Sequence, residues 1–318
     1  MKRSLLLIPA LLVLAGCASP ASVAVDPSSG AEAVSFDNCG FDLTLDAAPE
    51  RIVTIKSTST ELLLALGLGN RIIGTAFQDG PLPSSLAPST SLKEIAPQMP
   101  SEEALLDLEP DFVYAGWESA FTPDAAGDRD ELADLGIGTY VSPAACKEAE
   151  YKPAKLTFDD LFDEITEAGR VFGADSEASD LIADQKEQLA TVEADTTGKS
   201  VLWWSSGDDT PYVGAGIGAP QMMLEQLGLT NIAADVNDTW SPLSWEAIVA
   251  ANPDVIVLVD ASWNTAAAKK EFLATNPATA NITAVKNQAY LVIPFPAAEA
   301  GVRSVPATVD LASQLKAL

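Results

Sequence analysis

The sequence predicts an α/β protein of two α/β lobes joined by a long rigid α-helix. Three observations carry this. Short β-rich runs alternate with helical patterns through both halves of the 318 residues, the order expected of βαβ units and parallel or mixed sheets. The halves also echo each other in letters. Glu103-Ala104-Leu105-Leu106-Asp107-Leu108-Glu109-Pro110-Asp111 lies over Glu246-Ala247-Ile248-Val249-Ala250-Ala251-Asn252-Pro253-Asp254, and Leu66-Gly67-Leu68 over Leu227-Gly228-Leu229. Between the halves lies a stretch with helical periodicity.

The elements follow in order. Residues 51–56 read as a strand, 59–66 as a helix ended by Gly67, and 71–76 as a second strand. A short helix over 102–108 is stopped by Pro110. Strand 111–116, helix 129–135 and strand 137–141 complete the first lobe. In the connector, Phe158, Leu161, Phe162, Ile165 and Val171 form one apolar helix face, closed near Gly173. Asp175 or Ser176 caps a second helix reaching about Ala194. Roughly 20 residues at about 1.5 Å each span about 30 Å, enough for a stiff rod between lobes. The second lobe repeats the plan with strand 200–205, helices near 221–227 and over 245–251, strand 254–259, and a final helix from Arg303.

Composition bounds the function. With 18 basic and 45 acidic residues the net charge is -27, which repels phosphate backbones and excludes nucleic-acid binding. There is no histidine. That removes Ser-His-Asp and Cys-His catalysis, His-ligated zinc and an imidazole proton shuttle. No G-x-S-x-G elbow is present, and no segment proposes the carboxylate pair of a glycosidase. Asp235-Val236-Asn237-Asp238 is too short for a calcium loop. No metal, no cofactor and no enzyme activity is expected. A binding protein leads; a secreted hydrolase and a surface scaffold are the other classes.

At the N-terminus, Lys2, Arg3 and Ser4 precede an apolar run over 5–14 and then Leu14-Ala15-Gly16-Cys17. The run is too short to span a bilayer as a stable helix and has the form of a signal peptide. The small-residue approach to the cysteine resembles a bacterial lipobox, which implies cleavage and diacylation at Cys17. A plain secretory peptide with an incidental cysteine is the alternative. The expected organisation is a lipoprotein signal over 1–16, a flexible Ser/Ala/Pro-rich tether over 17–33, an N-terminal lobe over 34–156, a helical connector over 157–196 and a C-terminal lobe over 197–318. Cys39 and Cys146 remain as an even pair. An oxidising compartment favours a disulfide, with two buried thiols as the alternative.

Lipobox, two lobes, joining helix and two Glu-x6-Pro-Asp segments together resemble the class III substrate-binding proteins of ABC importers, which serve ferric siderophores, haem and cobalamin. The segments 49–53 (PERIV) and 60–67 (TELLLALG) fit the first lobe of that family, and Asn38-Cys39-Gly40 is similar to its siderophore-type members from high-GC Gram-positive bacteria. The resemblance implies Rossmann-like, three-layer lobes, a ligand cleft between them and little hinge motion. It also implies a monomer on the extracytoplasmic face of the cell membrane, lipid-anchored, with an ABC permease and its ATPase as partners. One surface glutamate per lobe docks onto permease arginines in that family; Glu103 and Glu246 match. Helix-dipole stabilisation of about 0.3–1 kcal/mol is the other reading of those two residues. The segments 56–61 (KSTSTE), 77–83 (FQDGPLP) and 141–147 (VSPAACK) are similar to an actinobacterial subgroup. Its proposed ligand is the deazaflavin coenzyme precursor, coenzyme F-420 without its glutamate tail.

Loops after strand C-termini face the cleft in open α/β sheets, which selects the candidate ligand contacts. Lys56 and Ser57 follow the first strand, Phe77 the second and Trp117 the third. Lys147 and Tyr151 follow the fourth, in a stretch that also holds Lys152 and Lys155. Trp204, Trp240, Trp263 and Arg303 are the candidates from the second lobe. The lysines and arginine suit an anionic group and the aromatics a flat ring. For each lysine, a solvated surface position is the alternative, and for each tryptophan, core packing.

Overall fold

The computed structural model describes residues 33–87 and 91–318. The signal segment, Cys17 and all of the tether but Ala33 lie outside the described residues. The first described element is a hairpin of β1 (Val34–Asn38) and β2 (Phe41–Leu45). Its two turn residues, Cys39 and Gly40, both have positive φ. That is the geometry that matches the twist of a two-residue hairpin. Cys39 is disulfide-bonded to Cys146 with a Cα–Cα distance of 5.3 Å.

Five parallel strands form the first lobe's sheet, in the order β5-β4-β3-β6-β7. They are β3 (Ile52–Ile55), β4 (Ile72–Ala76), β5 (Glu94–Ala96), β6 (Phe112–Ala115) and β7 (Gly138–Val141). Every residue of β3 and β6 is buried, because helices and connector cover both faces. Such strands read as continuous apolar runs rather than alternating ones. Three helices accompany them: α1 (Ser57–Ala65), α2 (Glu102–Leu106) and α3 (Arg129–Asp134).

The connector is two 15-residue helices, α4 (Phe158–Phe172) and α5 (Asp175–Leu189). Thr157 starts α4 with a reciprocal capping box to Asp160, and Gly173 ends it in the left-handed region. The second helix stops earlier than the pattern predicted, so each rod is about 22 Å long. Leu156 N–H donates to Ile217 O of the second lobe at 2.8 Å, while Arg71 of the first lobe donates to Phe172 O at 2.8 Å. The first connector helix thus runs from one lobe to the other. The second returns, and its Gln185 donates to Val302 O at 2.9 Å.

The second lobe carries β8 (Ser200–Ser206), β9 (Tyr212–Gly214), β10 (Thr230–Asn231), β11 (Trp240–Pro242), β12 (Val255–Asp260) and β13 (Tyr290–Pro294). The order is β11-β9-β8-β12-β13, with β10 beside the start of β8. The β8, β10, β12 and β13 pairings are parallel, and the β9 and β11 edge is antiparallel. Helices α6 (Ala219–Gln226), α7 (Trp245–Ala251), α8 (Ala266–Thr275), α9 (Thr283–Lys286), α10 (Phe295–Ala298) and α11 (Ser304–Lys316) complete it. One apolar core runs through both lobes and the connector, and a second fills the other face of the first sheet. Residues 33–318 accordingly form one compact unit.

The repeated letters have a structural cause. Asp111 accepts from the N–H groups of Glu50 and Arg51 at 2.9 Å each. Asp254 accepts from Ser200 N–H at 2.9 Å. In each lobe the Pro-Asp therefore pins the entry to the first strand. The helix before it is capped identically in both: Ala104 N–H to Ser101 Oγ and Ala247 N–H to Ser244 Oγ, each 3.2 Å. Glu103 and Glu246 are consequently exposed in matching first turns.

Candidate functional site

The C-terminal ends of both sheets converge on a cavity of about 710 Å³ between the lobes. Six parallel strand ends deliver residues to it: β3 gives Lys56, β4 Phe77, β6 Trp117, β7 Ser142, β12 Trp263 and β13 Phe295. Three aromatic pairs face it. Phe77 and Trp117 meet edge to face at 5.6 Å between centroids. Tyr212 and Trp240 stack at 6.3 Å and 14° on the antiparallel edge. Trp263, 61% exposed at the rim, meets Phe295 edge to face at 5.7 Å. Aromatic rings buried on one side and open on the other offer stacking area at small entropic cost.

Lys56 lies on the cavity floor in a conformation few lysines adopt. Its φ of 82 and ψ of 153 fall in a region that is almost exclusively glycine's. Its side chain is 1% exposed and ion-paired with Asp79, itself 3% exposed. The ammonium sits 3.5 Å from the Trp117 ring centroid and 4.1 Å from that of Phe77. Burial lowers its pKa, against the opposing pull of Asp79 and Glu299. Gly116 makes room: a Cβ there would lie 2.3 Å from Thr58 Oγ1 and 2.9 Å from Lys56 Cβ. Ser57 is fully buried and does not line the cavity. Its hydroxyl accepts from Asp79 N–H at 2.8 Å and its N–H donates to Asp79 Oδ2 at 3.3 Å, so it orients the carboxylate.

Other predicted contacts divide. Trp117, Phe77, Lys147, Trp240 and Trp263 line the cavity. Lys147 is exposed, its N–H is donated to the Glu118 carboxylate, and its ammonium has no ion-pair partner among the described residues. The neighbouring lysines are engaged: Lys152 with Asp238 at 3.1 Å and Lys155 with Glu225 at 2.8 Å. Besides Ser57, three expected contacts do not reach the cavity. Tyr151 lies against Gly40 at the hairpin turn, and its hydroxyl donates to Asp37 at 2.8 Å. Trp204 is completely buried against Trp245 and Phe272. Adjacent strand residues do face opposite ways, but both faces of β8 are covered, so neither Trp203 nor Trp204 sees the cleft. Arg303 is spent on Glu61 of the first lobe, with Nε to Oε2 at 2.6 Å, and donates to Pro81 O at 2.9 Å. The Glu61 side chain is 1% exposed, and burial raises its pKa against the lowering effect of Arg303.

Sequence reasoning did not single out Glu299. It is half-buried in the cavity wall and accepts from Trp117 Nε1–H at 3.4 Å, across the lobe boundary. Burial raises its pKa, and the nearby Lys56 charge opposes that rise. Its signal was positional: it follows β13, a strand not read from the sequence. Among the described residues no cluster of three or more His, Cys, Asp or Glu side chains is placed to hold a metal. No helix among them is long and apolar enough to cross a membrane.

Comparison with known proteins agrees with this architecture. A protein of Bacillus subtilis described as an uncharacterized ABC transporter substrate-binding lipoprotein is 27% identical over 320 residues, covering 97% of this chain and 95% of the relative. A cobalamin-binding protein of Halobacterium salinarum is 27% identical over 229 residues, 68% of this chain and 55% of the relative. Among solved structures, a periplasmic binding protein from Veillonella parvula superposes with a TM-score of 0.80 at 26% identity, covering 90% of this chain and 98% of that one. An ABC-type Fe3+-hydroxamate transport system structure from Saccharomonospora viridis gives 0.74 at 26% identity, with coverages of 88% and 98%. The profile of the family described as periplasmic binding protein matches residues 52–297. Two α/β lobes with a cleft at their strand ends, and a family match across most of both, assign the chain: it belongs to the periplasmic binding protein family.

Proposed function

We propose that this chain is the solute receptor of an ABC importer, anchored on the extracytoplasmic face by a lipidated Cys17, and that it captures a small molecule with a flat aromatic face and an anionic group. One observation carries the ligand class: three aromatic pairs drawn from both lobes surround one cavity, with the ammonium of Lys147, unpaired among the described residues, in its lining. A volume of about 710 Å³ falls within the range of sites for drug-sized ligands. The deazaflavin coenzyme precursor combines a planar ring with phosphodiester and carboxylate groups, and is the first candidate. A ferric siderophore or cobalamin is the second, favoured by the descriptions of the relatives. Glu103 and Glu246 are exposed at equivalent places and suit docking to a basic permease surface.

Titration tests this. Purified protein is mixed with the deazaflavin precursor, a panel of ferric siderophores and cobalamin while tryptophan emission is followed. Stoichiometric quenching by the deazaflavin precursor supports the first reading, and by a siderophore or corrinoid the second. Turnover of any of them, or no binding by any, overturns the receptor assignment for these ligands.

A further inference from the structure

The lysine on the cleft floor does not behave as a free cation, and its surroundings say what it does instead. Its ammonium has the Asp79 carboxylate as ion-pair partner and the faces of Trp117 and Phe77 within 4.1 Å, with the Phe295 ring at 5.6 Å. Aromatic faces and carboxylates are the components of cation-binding cages. Here the cage is filled from within the chain. The backbone is deformed to allow it: Lys56 and Phe77 both have positive φ, at 82 and 49, and such strain gathers at ligand clamps. The lobes also approach closely here. A Cβ on Gly301 of the second lobe would lie 3.1 Å from Thr58, and one on Gly80 of the first lobe 3.3 Å from Pro296. Trp117, which covers the ammonium, donates across that boundary to Glu299.

We propose that Lys56 is a positioning residue of the ligand site: its ammonium permanently occupies a cation cage of Phe77, Trp117 and Asp79, and thereby fixes the first lobe's aromatic wall, through Trp117, against the Glu299 carboxylate of the second lobe. This rests on the cavity being the ligand site. Two consequences follow. The cleft floor presents ring edges rather than a basic group, so an anionic ligand end is directed to Lys147. Loss of the ammonium leaves the buried Asp79 carboxylate without its partner and unseats Trp117, which bonds Glu299 across the boundary, so the lobes loosen at this point.

The test uses the ligand-free protein, so its failure and the failure of the receptor reading are separable. In isotope-labelled wild type, one lysine ε-methylene resonance is displaced upfield by the ring currents and is missing from Lys56→Met. Lys56→Met, which keeps the side-chain bulk, has a larger radius of gyration by small-angle X-ray scattering. Lys56→Gly removes the side chain at a φ that glycine adopts freely, and its Tm falls by roughly 5–10 °C. Methylammonium chloride restores Tm in Lys56→Gly, whereas equal sodium chloride does not, and Lys56→Met gains nothing from either. An unshifted lysine spectrum in wild type, an unchanged radius in Lys56→Met, or equal rescue by sodium and methylammonium each overturns the proposal. If Lys56→Gly does not fold, the wild-type spectrum and the Lys56→Met scattering decide it.

Discussion

Glu164→Gln isolates the largest buried acid effect in the connector. Glu164 lies on the inward face of α4, 6% exposed, and accepts from Tyr114 Oη at 3.1 Å. Ser142 also bonds it, Glu167 stands nearby, and Tyr140 donates to Glu167 at 2.6 Å. Burial pushes the Glu164 carboxyl up from 4.5 to about 7, more than the hydrogen bonds from Ser142 and Tyr114 pull it down. An acid with a raised folded pKa holds its proton longer in the native state. The native state therefore binds more protons than the unfolded one between those values, and stability falls as pH rises through that window. At about 1.4 kcal/mol per pKa unit, the loss attributable to this group is about 3 kcal/mol. Glutamine does not titrate. It keeps a donor and an acceptor in place at a cost of about 1 kcal/mol, so the variant is the less stable protein at roughly pH 4 and the more stable one at roughly pH 8. Urea unfolding of both disulfide-intact proteins across this range measures the difference, and other titrating groups cancel in it. A wild-type minus variant curve that stays flat between the two values refutes the assignment of the burial effect to Glu164.

Arg303→Leu leaves the Glu61 carboxylate buried without its partner and costs about 3–5 kcal/mol in urea unfolding, most of which is recovered in the double variant with Glu61→Leu. Ligand binding, read by tryptophan quenching with whichever titrant binds, weakens about ten-fold or more in Lys147→Ala if an anionic group meets that lysine; Lys155→Ala, whose lysine is absent from the cavity lining, leaves it unchanged. The oxidised ectodomain shows no alkylatable thiol at Cys39 or Cys146 by mass spectrometry, and replacing both by serine lowers stability by roughly 4–5 kcal/mol in the chain-entropy picture. Glu103→Ala with Glu246→Ala retains ligand affinity but abolishes cellular uptake; normal uptake rejects the docking role.

Six of the parallel strands, β3, β4, β6, β7, β8 and β12, were legible because they are largely buried on both faces and read as apolar runs, as in 52–55 and 255–259. The hairpin, β5, β10, β13 and the β9 and β11 edge were not. Tyr212–Gly214 and Trp240–Pro242 are three residues each, too short for any period to register. The cleft loops were legible from strand order alone, which found Lys56, Phe77, Trp117 and Trp263. What each charge does there was not. Lys56 pairs with a residue 23 positions away and Arg303 with one 242 positions away, and nothing local distinguishes a spent cation from a free one. Trp204 shows the reverse limit: alternation gives a side chain's face but not what covers that face.

Phe295, Glu299 and Arg303 all follow β13, the last described strand of either sheet in chain order. In chain order, the residues of the first lobe's five strands, its disulfide and its Lys56–Asp79 pair all precede the second lobe. Glu61 lies among them, and its counter-charge, Arg303, comes 242 positions later. The final segment therefore does two jobs at once: it closes the cavity and neutralises that earlier carboxylate. Without the segment from Phe295 on, Glu61 lacks its counter-charge and the cleft lacks the Phe295 and Glu299 part of its wall. The pocket is complete only once the segment 295–303 has docked against the first lobe.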